Sequence, residues 1–175
     1  MEDKKLRRMV LTALFAALSA VATLAVRIPT VAGYTNFGDG VVLLGAYLLG
    51  PLYGGIAGGV GCALADLLAG YAYYVPGTLL VKGGSAVVAA LLLHVFCKGK
   101  KPHAGYLVAA GVPAELFMAA GYFAYKALIL GKLEGAIASI PGNLMQGVVG
   151  IAVSTALFLA LSRVPDLEKY FWKGR

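Results

Sequence analysis

Charge is scarce in this chain. Only 13 % of its 175 residues are Asp, Glu, Lys or Arg, about half the share of an average soluble domain. A soluble globule this poor in charge has too few polar groups to cover its surface. The 60 % apolar content excludes a disordered chain as well. Cysteine is nearly absent. Cys62 and Cys97 form no CxxC and no Cys/His cluster, which argues against a structural zinc site. Both lie in apolar runs at different depths, so they read as small buried hydrophobes and not as a disulfide. The signatures of common chemistry are missing too. There is no GxxxxGK[ST] phosphate loop, no HExxH and no GxSxG. The two histidines, His94 and His103, fall on the inner side in the topology drawn below, far from the polar residues singled out there. No catalytic set, metal or cofactor is expected.

What remains is apolar and rich in glycine, with 24 of the 175 residues. That describes an integral membrane protein with closely packed helices, expected to be all-α and to form a single domain over residues 1–175. Six apolar segments can be drawn, at about 6–26, 39–50, 53–70, 77–97, 104–127 and 140–162. Turn signals separate them: Arg27 to Gly38, Gly50-Pro51, Gly70 to Pro76, Lys98 to Pro102, and Gly131 to Ile140. The run from Met9 to Val26 follows a basic stretch and could be mistaken for a signal peptide. At about 18 residues it exceeds the usual signal core and can span a bilayer. The second segment is short for a span, reaching roughly 18 Å of a roughly 30 Å hydrocarbon core.

The basic residues orient this drawing. With six spans and a cytoplasmic N-terminus, three clusters fall inside: Lys4, Lys5, Arg7 and Arg8; Lys98, Lys100 and Lys101; Arg163, Lys169, Lys173 and Arg175. Only Arg27 and Lys132 fall in outer loops. The asymmetry places both termini in the cytoplasm of a multi-pass protein of the bacterial cytoplasmic membrane. It also accounts for the net charge of +7 without nucleic acid.

Small residues recur at helical spacing. Ala13-x-x-x-Ala17 and Ala16-x-x-x-Ala20 stripe the first segment, and Gly54-x-x-x-Gly58 and Gly55-x-x-x-Gly59 the third. Such stripes admit another helix closely. For the glycines the expected partner is this chain. For Ala13, Ala16, Ala17 and Ala20, internal packing and docking of a second protein stand equally.

Ionisable groups within the segments are few: Asp39, Asp66, Lys82, Glu115 and Lys126. Each costs about 3 kcal/mol at mid-membrane, so position is informative. All gather in the outer half except Glu115, which falls near mid-depth. Asn143 and Gln146, three apart on one helical face, join them. Aromatics surround the group: Tyr34, Phe37, Tyr71, Tyr73, Tyr74 and Tyr122. Glu115, Tyr122 and Lys126 share one helical face. Polar groups converging between aromatic walls describe a pocket for a small, flat, polar molecule. Asn36, Asp39, Asp66, Lys82, Asn143 and Gln146 are the candidate polar contacts, with Tyr74 and Tyr122 stacking. Bland readings stand beside this. Asp39 reads equally as a helix N-cap. The tyrosines at 71–74 read equally as an interfacial belt. Lys126 also reads as snorkelling outward, and Asp66 with Lys82 as an internal ion pair. Val75-Pro76-Gly77-Thr78 and Ile140-Pro141-Gly142-Asn143 both read as helix openings, aiming free N–H groups at one region.

At this point the residues resemble a family. Asn36-Phe37-Gly38-Asp39-Gly40, Gly50-Pro51-Leu52-Tyr53-Gly54-Gly55, Asp66-Leu67-Leu68-Ala69-Gly70 and Gly77-Thr78-Leu79-Leu80-Val81-Lys82-Gly83 are similar to the substrate-binding S components of energy-coupling-factor (ECF) vitamin transporters. The likeness is to the branch associated with riboflavin, hydroxymethylpyrimidine and pyridoxine. It covers nearly the whole chain. It implies six helices and capture of a vitamin or precursor from outside under a lid, here Arg27 to Gly38. It implies docking on a transmembrane coupling subunit through an alanine motif, here Ala13 and Ala17 with Ala16 and Ala20. It also implies uptake powered by two ATP-binding subunits, which suits the missing phosphate loop. The ordered motifs are specific for the family and weak for the vitamin. The rival reading is an autonomous secondary transporter with Asp66, Glu115 and Lys82 as a proton or ion relay. A structural membrane subunit without a ligand is a third.

Overall fold

A computed structural model describes residues 2–25, 27–30 and 33–165, with side chains described from residue 5 and not over 26–35. The order is α1 (Glu2–Ala25), β1 (Arg27–Thr30), β2 (Gly33–Asn36), α2 (Gly38–Leu68), α3 (Val75–Cys97), α4 (Ala104–Ala124) and α5 (Leu133–Leu161). A 3-10 turn at Ala72–Tyr74 leads into α3, and a π-helical turn at Tyr125–Ile129 extends α4. Among the described residues, five elements are long and apolar enough to cross a membrane: Lys5–Ala25, Gly38–Leu68, Ala72–Cys97, Ala104–Ile129 and Leu133–Leu161. The chain is an integral membrane protein.

Six separate helices of membrane length are therefore not found among the described residues. The segments expected at 39–50 and 53–70 belong to one hydrogen-bonded element, α2. Its backbone leaves helical geometry at Gly50, with φ 82 and ψ −178. That positive φ suits glycine, and Pro51 then supplies the fixed φ that opens a new helical turn. The two arms fold back on each other. A Cβ at Gly54 would sit 2.6 Å from Ala46 Cα, and one at Gly58 2.8 Å from Val42 Cγ1. Each pair is equidistant from Gly50, so the arms run antiparallel about that turn. Apart from Val41, half-buried, the first arm, 38–49, is buried on all sides. This explains its lack of a polar face.

The second arm, 51–68, carries the glycine stripes, and these are internal contacts, as expected. While Gly54 and Gly58 face the first arm, Gly55 and Gly59 face α3. A Cβ at Gly59 would lie 2.8 Å from the Leu79 carbonyl oxygen and 3.3 Å from Gly83 Cα. Gly61 faces α1 at the Ala16 carbonyl and Ser19. α2 is thus central, with 67 % of its membrane window buried against 22 % for α1. The alanine stripe of α1 divides accordingly. Ala20 is buried and Ala16 half-buried, whereas Ala13 and Ala17 are exposed.

Three expectations need correction. First, the bundle is all-helical as expected, but it carries a short addition. The stretch between α1 and α2, read as a loop, forms an antiparallel hairpin with Arg27 paired to Asn36 and Thr30 to Gly33. Its β-branched residues and tyrosine favour extended backbone, and Pro29 is tolerated because both strands are edges. Second, the last helix begins at Leu133, with Pro141 inside it. Ile140-Pro141 opens no helix, so the pair of helix N-termini aimed at one region does not exist. Only Pro76 sits at a helix start. Membrane helices accommodate internal proline because neighbours satisfy the freed carbonyl. Third, Asp39 is not an N-cap. The residue before α2 is Phe37, without a side-chain cap, and the Gly38 N–H donates to Asn36 Oδ1 at 2.8 Å. Cys62 and Cys97 are free and buried.

Candidate substrate-binding site

One end of the bundle gathers the buried polar residues. Asp39 lies in the first turn of α2 and is 0 % exposed. Its Oδ1 accepts from the Lys82 ammonium on α3, in an ion pair buried on both sides. Its Oδ2 accepts from Gln146 Nε2 on α5 at 2.6 Å. Gln146 Oε1 in turn accepts from the Asn36 backbone N–H at 3.0 Å, which fixes the amide orientation. This network ties the end of the hairpin, the first arm of α2, α3 and α5 together. A helix N-terminus also favours the negative charge of Asp39.

A second chain of hydrogen bonds runs beside it. Tyr122 OH on α4 donates to Thr78 Oγ1 at 3.0 Å, and Thr78 Oγ1 donates to Asp66 Oδ2 at 2.5 Å. The Lys82 ammonium lies 5.4 Å from the Tyr122 ring centroid, within cation–π range. This ring joins the two networks. Cys62 Sγ lies below them, 3.6 Å from Thr23 Oγ1.

Six of the eight expected contacts therefore converge: Asn36, Asp39, Asp66, Lys82, Tyr122 and Gln146. The partner of Lys82 is Asp39 and not Asp66. Two stand apart. Tyr74 belongs to a tyrosine cluster, with Tyr73 at 4.7 Å and Tyr71 and Tyr125 at 6.3 Å between ring centroids. Lys126 sits 5.6 Å from the Tyr74 ring. Asn143 is half-buried, and its Nδ2 has no hydrogen-bond partner among the described residues. Thr78 was not singled out from sequence, although it sits one helical turn before Lys82 and shares its face. Tyr34 lies outside the described side chains.

In water each of these groups would be solvated. In an apolar bundle they are held by one another, and burial strengthens each contact. The arrangement offers a fixed cation, carboxylates, an amide and an aromatic face, which suits recognition of a flat polar molecule. It offers no nucleophile paired with a base. No group of three or more His, Cys, Asp or Glu able to hold a metal occurs among the described residues.

Comparison with known proteins identifies the family and the fold. The model of the family "ECF-type riboflavin transporter, S component" matches residues 3–163. A Pyrococcus woesei protein known as the "uncharacterized protein in gap 3′ region" is 38 % identical over 145 residues, covering 82 % of this chain and 93 % of that one. The thiamine precursor transporter HmpT of Lactococcus lactis subsp. cremoris (strain MG1363) is 27 % identical over 173 residues, covering 97 % and 96 %. Among solved structures, the S component for biotin from an ECF-type ABC transporter superposes with a TM-score of 0.66 at 18 % identity, covering 98 % of this chain and 99 % of that chain; this likeness is one of fold. Family and fold are those of transporter S components and not of enzymes, and the chain belongs to the ECF-type riboflavin transporter S component family.

Proposed function

We propose that the chain, as one domain over residues 1–175, captures a water-soluble vitamin or precursor from outside the cell. The ligand is a flat heteroaromatic compound of the pyridoxine, hydroxymethylpyrimidine or riboflavin type. Uptake follows on a transmembrane coupling subunit driven by two ATP-binding subunits. The observation that carries this reading is the network Asn36–Gln146–Asp39–Lys82 with its neighbour Tyr122–Thr78–Asp66. A buried polar cluster of this kind is costly in a membrane bundle unless it serves recognition. Asn36, Asp39, Asp66, Lys82 and Gln146 supply polar contacts, and Tyr122 a stacking face. Tyr74 and Asn143 contribute at the margin. The hairpin before α2 acts as the lid, latched through Asn36 to Gln146.

The chain crosses the cytoplasmic membrane six times, with both termini inside. The first arm of α2 is the short crossing, enclosed by the others, and the basic clusters hold the orientation. Ala13 and Ala17, exposed on α1, form the docking face for the coupling subunit. Ala16 and Ala20 support it from within.

The test uses purified protein in mild detergent. It is denatured and any released small molecule identified by mass spectrometry, and the intact protein is titrated with pyridoxine, hydroxymethylpyrimidine and riboflavin. Saturable binding of one compound supports the reading. No released vitamin and no binding of any of the three overturns it.

A further inference from the structure

Glu115 on α4 stands outside both hydrogen-bond networks. It is 5 % exposed. Both carboxyl oxygens are buried, and neither meets hydrogen-bond geometry with any described group. Its stem rests on α5 at Gly147, where a Cβ would lie 2.9 Å from Glu115 Cβ; Asp39 rests further along α5 at Gly150, at 2.7 Å by the same measure. Asp39 and Glu115 therefore lie side by side, with Lys82 in electrostatic reach of both. Asp39 has each oxygen engaged. The Glu115 carboxyl lies against that of Asp39, with neither of its own oxygens held in hydrogen-bond geometry. Asn143, one turn before Gly147 on α5, holds a buried Nδ2 that also lacks a partner. A buried polar group left unsatisfied costs about 1–3 kcal/mol, and a carboxyl more.

We infer that Glu115 is a specificity-determining ligand residue whose two oxygens clasp an amino-azine edge, an amino donor beside a ring nitrogen, on the heteroaromatic ligand. The inference rests on the binding role proposed above. One carboxyl oxygen accepts from the amino group, and the other shares a proton with the adjacent ring nitrogen. Whichever partner holds the proton, the same two hydrogen bonds form. A ligand carboxylate placed there would face like charge, which disfavours it. The imide edge of a flavin presents one donor between two acceptors and matches poorly. The Asn143 amide is free to donate to a ligand acceptor.

The test measures affinities of the purified full-length protein for hydroxymethylpyrimidine, which carries the ring amino group, for its des-amino analogue, for pyridoxine and for riboflavin. Wild type is expected to prefer the amino compound over the des-amino analogue at least ~10-fold. Glu115→Met, which keeps the stem packed on Gly147 and removes both oxygens, is expected to reduce that preference below about threefold with thermal stability retained. If the variant fails to fold, the wild-type ratio decides alone. Equal wild-type affinity for the two pyrimidines overturns the inference, as does a preference kept intact by Glu115→Met. Binding of riboflavin or pyridoxine without hydroxymethylpyrimidine also overturns it, while leaving the vitamin-binding role standing. Binding of none of the four removes that role together with the inference.

Discussion

Lys82 on α3 and Asp39 at the start of α2 form an ion pair enclosed on both sides, and Gln146 from α5 closes the remaining carboxylate oxygen. Removing one partner of such a pair leaves a buried charge uncompensated. Lys82→Met is expected to lower stability by about 3–5 kcal/mol. Adding Asp39→Asn to it is expected to recover part of that loss. Ligand affinity falls at least ~10-fold in both variants. Thermal unfolding in detergent and a binding titration read the two effects separately. A double variant with restored affinity would remove the pair from the ligand site.

Thr78 links Tyr122 to Asp66. Thr78→Val keeps the shape and deletes both hydrogen bonds, stranding the Tyr122 hydroxyl. The expected result is a ~5–30-fold loss of affinity, corresponding to about 1–2 kcal/mol, with the fold intact by circular dichroism. Tyr122→Phe deletes only the first bond and is expected to cost less. A larger loss for Tyr122→Phe than for Thr78→Val would place the ligand on Tyr122 alone.

The antiparallel arms of α2 touch at Gly54, where a Cβ would lie 2.6 Å from Ala46 Cα. Backbone cannot yield as a side chain can. Gly54→Ala is expected to destabilise by about 1–3 kcal/mol through overpacking. Gly135→Ala is the control, because its Cβ would meet nothing nearer than 3.8 Å. Equal unfolding temperatures for the two variants would contradict the close crossing.

The alanines of α1 separate docking from folding. Ala17 is exposed and Ala20 buried. Ala17→Trp is expected to leave ligand binding unchanged and to abolish uptake in vesicles containing all subunits. Ala20→Trp is expected to destabilise the protein itself. Undiminished uptake by Ala17→Trp would remove that face from the docking surface.

Much of this architecture was legible in the sequence because a membrane allows few solutions. Apolar runs of span length announce helices, and the Gly50-Pro51 step announces the turn in α2. Proline misled at Pro141. In a soluble helix it marks a boundary, but here it lies inside α5. The hairpin before α2 escaped notice because four-residue strands leave almost no periodic signal. The site residues were findable one by one, since an ionisable group in an apolar run is conspicuous. Their pairing was not. Lys82 is nearer in sequence to Asp66 than to Asp39, and only the folding back of α2 decides between them. Thr78 passed unread because a threonine in a membrane helix is ordinary until its neighbours are known. Glu115 stands out in the sequence for its depth, but the position of its carboxyl beside Asp39 is a property of the fold alone.

The central claim is that this chain recognises its ligand unaided and transports it only with partners. The most direct measurement is uptake of the ligand identified by titration into proteoliposomes. One set contains this chain alone with an imposed proton gradient; the other adds the coupling subunit, the two ATP-binding subunits and ATP. The account predicts saturable binding in both sets and accumulation only in the second. Accumulation by the chain alone, driven by the gradient and lost in Glu115→Gln, would contradict it and establish an autonomous ion-coupled transporter.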